Sequence, residues 1–199
     1  MKYVVINYRA VLLLPLVAVL SLVGCQPQQD GIEITELPEI KQAPSFSSTN
    51  YDGSTVTDAD LAGSVYIAYF FFTSCGGPCP IMNSTANVLQ AEYAREDDFR
   101  IVGFTVDPET DTVTRLSQYA DRYSARPGKW SMLRNEVDVV GELTMKGFLM
   151  GSAEEPVMHS TRFALVDRRG VIRGYFDGLD DEKVRELRAA INFLLGERS

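Results

Sequence analysis

The strongest constraint on the fold is an apolar run that ends close to a pair of cysteines. Residues 65–72, Val-Tyr-Ile-Ala-Tyr-Phe-Phe-Phe, carry no polar group except two tyrosine hydroxyls, as expected of a central strand buried on both faces. The segment Cys75-Gly-Gly-Pro-Cys79 follows, and its glycines and proline favour a loop. Beyond it, apolar residues recur with the spacing of one amphipathic helix face: Met82, Ala86, Leu89 and Tyr93.

The rest of the chain alternates between strand and helix patterns. The predicted elements are a strand over 99–106, a helix over 113–123 that ends before Pro127, a strand over 130–133, a helix over 136–146, a β-hairpin over 162–176 and a last helix that begins at Asp180 or Asp181. Residues 45–57, with Asp52-Gly53 as the turn, predict an added hairpin. We therefore expect an α/β, thioredoxin-like fold, a central mixed sheet flanked by helices, with an N-terminal β-hairpin extension.

Residues 1–24 predict a lipoprotein signal peptide. Lys2 and Arg9 are followed by an uncharged apolar run over residues 10–23, which is short for a membrane span and typical of a secretory signal. The run leads into Leu-Val-Gly-Cys25, which resembles a bacterial lipobox, so Cys25 is predicted to carry a lipid. The alternative is an uncleaved signal anchor with Cys25 as an incidental thiol. Either interpretation exports the rest of the chain.

The segment after the signal predicts a tether and one domain. Residues 25–43 are rich in Gln, Glu and Pro and have no regular periodicity, so we interpret them as the lipidated Cys25 and a flexible tether. Residues 44–199 are then a single thioredoxin-like domain. The predicted location is the cell envelope, with the domain anchored to a membrane and facing the periplasm or the extracellular side.

The charge balance argues against a nucleic-acid partner. The chain has 27 acidic and 19 basic residues, a formal net charge of −8. Two of the basic residues, Lys2 and Arg9, lie in the predicted signal peptide, so the exported part is more acidic still. A protein that binds phosphates needs a basic face, and we therefore expect no nucleic-acid binding.

Cys75 and Cys79 are the only cysteines left once Cys25 is assigned to the anchor. A structural disulfide is one interpretation of such a pair in an exported domain. The loop between them is short for that purpose, because a disulfide stabilises chiefly by closing a long loop of the unfolded chain. At a helix start the sulfurs can converge, and backbone N–H groups favour the thiolate, which attacks disulfides and binds soft metals. Redox or metal chemistry is the favoured interpretation.

His159 is the only histidine, and it lies just before the strand predicted from Arg162. We expect that strand beside the strand 65–72, so the loop that carries His159 can approach the cysteine loop if the strand direction allows. Two thiolates and one imidazole suit Cu(I). A closed zinc site would need a fourth ligand, which leaves an open catalytic zinc site as a weaker alternative. A histidine of the loop surface without a ligand role is the other interpretation.

Three motifs in series resemble the Sco/SenC family, which comprises copper-binding, thioredoxin-fold assembly factors for cytochrome c oxidase. They are the aromatic strand followed by CGGPCP at 75–80, VDPETDT at 106–112, and HST at 159–161 ahead of the predicted hairpin. The resemblance runs in a consistent order from about residue 44 to residue 195.

The resemblance implies three copper(I) ligands: Cys75, Cys79 and His159. It also implies that Asp107 or Asp111 shapes the site nearby. This sequence departs from the family pattern in two places. Gly76 follows the first cysteine where the family usually has proline, and Met158 stands where an acidic residue commonly precedes the histidine.

Two functions follow from this sequence. The leading hypothesis is a metallochaperone that supplies copper(I) to the dinuclear copper site of cytochrome c oxidase during its assembly. The alternative is a membrane-anchored thiol–disulfide oxidoreductase that keeps the metal-site cysteines of exported proteins reduced, by exchange through a mixed disulfide. The expected partner is the copper-bearing oxidase subunit or another exported thiol protein. A non-catalytic interaction domain with a vestigial disulfide is a third interpretation.

Overall fold

The structure is a computed structural model that describes residues 32–151 and 160–197. The strands are β1 Lys41–Gln42, β2 Ser47–Asn50, β3 Thr55–Thr57, β4 Val65–Phe71, β5 Phe99–Thr105, β6 Trp130–Arg134, β7 Arg162–Val166 and β8 Val171–Asp177. The α-helices are α1 Pro78–Glu92, α2 Val113–Arg122, α3 Val137–Glu142 and α4 Asp181–Gly196. A short 3₁₀-helix spans Asp58–Leu61, and a π-helical turn, Leu143–Gly147, continues α3.

All the described strands belong to one mixed sheet in the order β1-β8-β7-β4-β5-β6-β2-β3. The apolar run forms β4 near the middle, and every one of its residues is buried. β4 is parallel to β5 and antiparallel to β7, while β2 and β3 pair as the predicted added hairpin. The expected thioredoxin-like architecture is confirmed.

The side chains of β4 alternate between two hydrophobic layers. Val65, Ile67 and Tyr69 belong to the layer formed with α1, α2 and α4. Tyr66 and Phe70 belong to the opposite layer, which contains aromatic side chains from the hairpin extension and from the segment after the π-helical turn. Because both faces are covered, β4 is held rigidly up to the residue at which the cysteine loop begins.

The segment before the predicted domain boundary is part of the sheet. Lys41–Gln42 pairs with β8 as β1, and the Arg173 guanidinium donates to the carbonyl oxygens of Leu37 and Pro38 at 2.8 Å each. Ile34 and Leu37 also pack against the hydrophobic core, so residues 34–43 belong to the folded domain and not to the predicted tether over 25–43. Sequence periodicity could not find this strand because it is two residues long and polar. In the described part of the chain, every helix is too short or too polar to span a membrane.

Candidate functional site

The cysteine loop joins the end of β4 to the start of α1. Pro78 lies in the first turn of α1, where its missing N–H costs no hydrogen bond. Cys79 is the next residue and is buried, whereas Cys75 precedes the helix and is partly exposed. The backbone N–H of Cys75 donates to the Phe72 carbonyl at 3.2 Å and closes the turn. Both cysteines are free thiols, so the structure represents the reduced pair.

The two thiols are electrostatically unequal. Burial alone would raise the pKa of Cys75, but hydrogen bonds from the Cys79 thiol and from the backbone N–H groups of Cys79 and Gly77 outweigh it, and the pKa lies below its ordinary value. Burial raises the pKa of Cys79 to about 12, helped by the hydrogen bond that its thiol donates to Cys75. Cys75 is therefore the thiol that ionises first, and Cys79 holds the shared proton.

Asp111 is connected to the cysteine loop through Thr73. Its fully buried carboxylate accepts hydrogen bonds from the Thr73 backbone N–H at 3.0 Å, from the Thr73 hydroxyl and from the Thr105 hydroxyl. Arg115 of α2 donates through Nε to the Thr73 hydroxyl oxygen at 2.6 Å. The carboxylate thus fixes the end of β4 to the end of β5 two residues before Cys75.

Asp107 lies in the same loop but makes different contacts. Its carboxylate accepts a hydrogen bond from the Thr110 backbone N–H at 3.3 Å, and its own N–H donates to the Thr105 hydroxyl at 3.1 Å. These bonds shape the loop between β5 and α2. Of the two aspartates that the family resemblance offered, Asp111 binds Thr73 directly, whereas the Asp107 carboxylate binds Thr110 within its own loop.

A buried polar network behind Cys79 was not foreseen from the sequence. Asn83 is fully buried, and its Nδ2 donates to the Cys79 carbonyl at 2.8 Å and to the Tyr119 hydroxyl at 3.1 Å. Its Oδ1 accepts from the Tyr69 hydroxyl at 2.6 Å, which accepts in turn from Trp130 Nε1 at 3.2 Å. One signal was available in the sequence: Asn83 is four residues after Cys79, on the same face of a helix whose stripe is apolar.

A small apolar pocket adjoins Cys79, and Ser160, which precedes β7, forms part of its wall. The pocket is lined by Phe72, Pro78, Met82 and Val106 in addition to Cys79 and Ser160. Because β7 is antiparallel to β4, with Ala164 opposite Ala68, the chain enters β7 at the end where the cysteines lie. The antiparallel direction of β7 is thus the one that the predicted approach of the His159 loop to the cysteine loop requires.

Two residues of the predicted site, Cys25 and His159, lie outside the described residues, and so does Met158. Within the described ranges, no three His, Cys, Asp or Glu side chains converge as a metal-binding group. The described donors are therefore the two cysteine sulfurs. Two soft sulfur donors fit Cu(I) and leave room for a third ligand from another segment.

Comparisons with known proteins agree with this geometry. The sequence model of the SCO1/SenC family matches residues 35–194. The "SCO1 protein homolog" of Bacillus subtilis is 30% identical over 155 residues, which are 73% of this chain and 80% of that protein.

Solved structures agree as well. BsSco, described as a member of the Sco family of cytochrome c oxidase assembly proteins with a disulfide switch, is 26% identical with a TM-score of 0.71 over 83% of this chain and 99% of its own. Yeast Sco1 with copper bound shares the fold, at 21% identity and a TM-score of 0.63 over 78% of this chain and 95% of its own. The cysteine loop, the fold around it and the family match together place this chain in the SCO1/SenC family.

Proposed function

We propose that this chain is a metallochaperone that binds copper(I) and supplies it to the dinuclear copper site of cytochrome c oxidase during assembly. The observation that carries the proposal is the pair of free thiols at the start of α1, in which the Cys79 thiol donates a hydrogen bond to the Cys75 sulfur. Soft sulfur donors select Cu(I), and the lowered pKa of Cys75 makes its thiolate available at a lower pH than that of an ordinary cysteine. Copper(I) is the cargo of such a protein, so the site must bind the metal and still release it to the oxidase by ligand exchange.

His159 is the proposed third ligand. Ser160, the next residue in the chain, lines the same pocket as Cys79, and adjacent Cα atoms are about 3.8 Å apart. The described chain is thus at the pocket of Cys79 one residue after His159, which supports the proposal. Asp111 holds the cysteine loop through Thr73 while this site is loaded and emptied.

Oxidation of the pair would switch copper binding off. Formation of the Cys75–Cys79 disulfide removes two electrons and two protons from the thiols, and neither sulfur then offers a thiolate to the metal. The comparisons support both halves of this proposal, because copper is bound in the yeast Sco1 structure and a disulfide switch is described for BsSco.

The test is a Cu(I) competition titration of the reduced full chain in nonionic detergent. Wild type should bind one equivalent, and Cys75→Ser or Cys79→Ser should abolish binding. His159→Ala should weaken it by at least about tenfold, since loss of a direct ligand costs no less than loss of a residue that supports one. Met158→Leu is the matched control and should bind as wild type does. Unchanged affinity in His159→Ala would refute the three-ligand site.

The second candidate is a thiol–disulfide oxidoreductase that reduces the metal-site cysteines of exported proteins. The inequality of the two thiols favours it, because a readily ionised attacking thiol beside a protonated partner is the arrangement that disulfide exchange requires. In this role His159→Ala should retain the exchange rate with a peptide disulfide, and Cys75→Ser should abolish it. Absence of copper binding together with rapid exchange would favour this candidate over the chaperone.

The anchoring assignment is a separate proposal. Residues 1–24 are the signal peptide, Cys25 carries the lipid, and a tether that ends before Ile34 connects it to the domain. Export then places the cysteine loop on the periplasmic or extracellular side of the cell envelope. Metabolic labelling with a fatty acid should mark the wild-type chain and not Cys25→Ser. Labelling that survives this substitution would contradict the assignment.

A further inference from the structure

A polar pocket of about 360 Å³ lies next to the cysteine loop on the side of α2. Thr73, two residues before Cys75, forms part of its wall, and α2 supplies two arginines, Arg115 and Arg122, together with Gln118. Adjacent Cα atoms are about 3.8 Å apart, so Thr73 and Cys75 are separated by at most ~7 Å along the chain. A molecule that reacts at Cys75 can therefore contact this pocket at the same time.

The two arginines have unused hydrogen-bonding capacity. Arg115 uses Nε to hold Thr73, and in the described ranges neither of its Nη atoms has an acceptor. Arg122 lies over the ring of Tyr119, 5.7 Å from its centroid, and no carboxylate within the described chain pairs with it. A guanidinium that keeps its planar Nη pair free is suited to bind a carboxylate.

Asp111 is the carboxylate that lies close to Arg115, and it does not form part of the pocket wall. Arg115 Nε is 3.9 Å from its carboxylate, longer than a hydrogen bond. The carboxylate is fully buried, and its oxygens accept hydrogen bonds from Thr73 and Thr105. Asp111 thus offsets part of the charge of Arg115 and leaves Arg122 uncompensated.

A second arginine-lined pocket of the protein is different. Arg168, Arg169 and Arg173 line it, and each of them is paired with a carboxylate. That cluster is internally neutralised and stabilises the fold. In the pocket beside the cysteine loop, Arg115 has only the 3.9 Å contact with Asp111, and Arg122 is paired with no carboxylate of the described chain, although the formal charge of the whole chain is −8. Its cationic character is local and adjoins the reactive thiol.

We propose that this pocket binds the carboxylate of an acidic residue that lies close to the reacting cysteine in the client protein. The inference rests on the proposed function in that it requires a client with thiols or a disulfide. The separation of Thr73 from Cys75 implies a carboxylate two to four residues from the client cysteine. The pocket selects among exported thiol proteins by charge, which the two cysteines cannot do alone.

The reaction that reveals this selection is disulfide exchange. The Cys75 thiolate attacks a peptide disulfide, forms a mixed disulfide and releases one peptide thiolate. The Cys79 thiol then gives its proton to the solvent or to that thiolate, and the Cys79 thiolate attacks the Cys75 sulfur, which breaks the mixed disulfide and releases the second peptide as a thiolate that equilibrates with solvent protons. The protein pair loses two electrons, and the peptide disulfide gains them.

The experiment compares two peptide disulfides that differ only in charge. One carries two glutamates, two and three residues after its cysteine, and the other carries glutamines at those positions. The reduced full chain in nonionic detergent should react about three- to fivefold faster with the glutamate peptide at low salt. At 1 M salt, where charges are screened within about 3 Å, this ratio should fall towards one.

Substitutions connect the preference to the pocket. Arg122→Gln should lower the glutamate-to-glutamine rate ratio, and Arg185→Gln, which removes an exposed arginine of α4 outside the pocket, should leave it unchanged. A ratio of one in wild type overturns the proposal. Inhibition by inorganic phosphate at constant ionic strength, without a peptide preference, also overturns it and identifies a small-anion site. The copper titration is independent of this ratio, so failure of the proposed function and failure of this inference are separable.

Discussion

Asp111 and Asp167 are both buried carboxylates, and they stabilise opposite ends of the sheet. Asp111 follows β5, which is parallel to β4, so that both strands end on the same side of the sheet. Its carboxylate binds Thr73, which precedes the cysteine loop. Asp167 follows β7, which is antiparallel to β4, and its partners are Arg169 and Arg173.

The two aspartates differ in the groups that compensate the negative charge of the carboxylate. Asp167 is neutralised by guanidinium groups and accepts backbone hydrogen bonds at 2.9 Å from Arg169 and Val171. Arg173 also binds the carbonyls of the entering segment, so this cluster joins Leu37 and Pro38 to the hairpin. Asp111 accepts mainly from hydroxyls and leaves the nearby arginine free for other contacts. One carboxylate completes the fold, and the other orients a reactive loop.

The largest expected effect is the loss of stability in Asp167→Ala. Arg173 would remain buried without its partner, and breaking a buried pair in this way costs about 3–5 kcal/mol. Urea denaturation measures the loss, and Cu(I) affinity of the folded fraction should be unchanged. Arg169→Gln is the control, because that side chain is largely exposed and its removal leaves the buried pair intact. Similar losses in the two variants would refute the role assigned to the buried pair.

Asp111→Asn should show the opposite balance between stability and function. An amide accepts hydrogen bonds through one atom only, so we expect about 1–3 kcal/mol of lost stability. The cysteine loop loses part of its anchor at Thr73, and Cu(I) affinity should fall by about tenfold or more. Urea denaturation and the competition titration measure the two effects on one sample. Asp107→Asn is the matched control in the same loop, and an equal loss of affinity there would contradict the assignment.

The reactivity of Cys75 gives a finer comparison of the two aspartates. Because its pKa is below the ordinary value, alkylation of Cys75 by iodoacetamide should reach its maximal rate at lower pH than a free cysteine, while buried Cys79 stays protected. In Asp111→Asn the loop should hold Cys75 less firmly against its N–H donors, so that the pKa of Cys75 rises and alkylation reaches its maximal rate at a higher pH than in wild type. Asp167→Asn should leave it in place. Mass spectrometry of the alkylated peptides measures the pH dependence in both variants. Equal shifts of the Cys75 alkylation profile in Asp111→Asn and Asp167→Asn would contradict the assignment of Asp111 alone to the cysteine loop.

Local patterns account for most of the fold that could be predicted. The run of β4, the end of α2 ahead of Pro127 and the cap of α4 at Asp180 are all readable within a few residues of sequence. The predicted helix over 136–146 divides into α3 and a π-helical turn. The sequence did not show this division, because the two helix types present nearly the same apolar periodicity over two turns.

The candidate site was less predictable because its contacts are distant in sequence. The cysteine pair is local, and the role of Asp111 came from a family resemblance. Asn83 contacts Tyr119, 36 residues away, and Tyr69, 14 residues away. Nothing near Asp167 in the sequence indicates that its partner Arg173 also binds the carbonyls of Leu37 and Pro38. Polar networks that join separate elements leave no periodic signal.

The smallest expected effect is the acid dependence that Asp167 gives to the stability of the fold. Burial alone would raise the pKa of Asp167, but hydrogen bonds from the Val171 backbone and from the arginines outweigh it and hold the pKa below the ordinary value. Its contribution to stability is therefore complete above the unfolded pKa of about 3.9 and is lost as the pH falls through the lower folded pKa. Urea midpoints between pH 6 and pH 3 should consequently fall more steeply in wild type than in Asp167→Asn. Asp138→Asn, which removes an exposed carboxyl, should retain the wild-type slope. Parallel curves for wild type and Asp167→Asn would mean that this carboxylate stabilises the fold without any linkage to protonation.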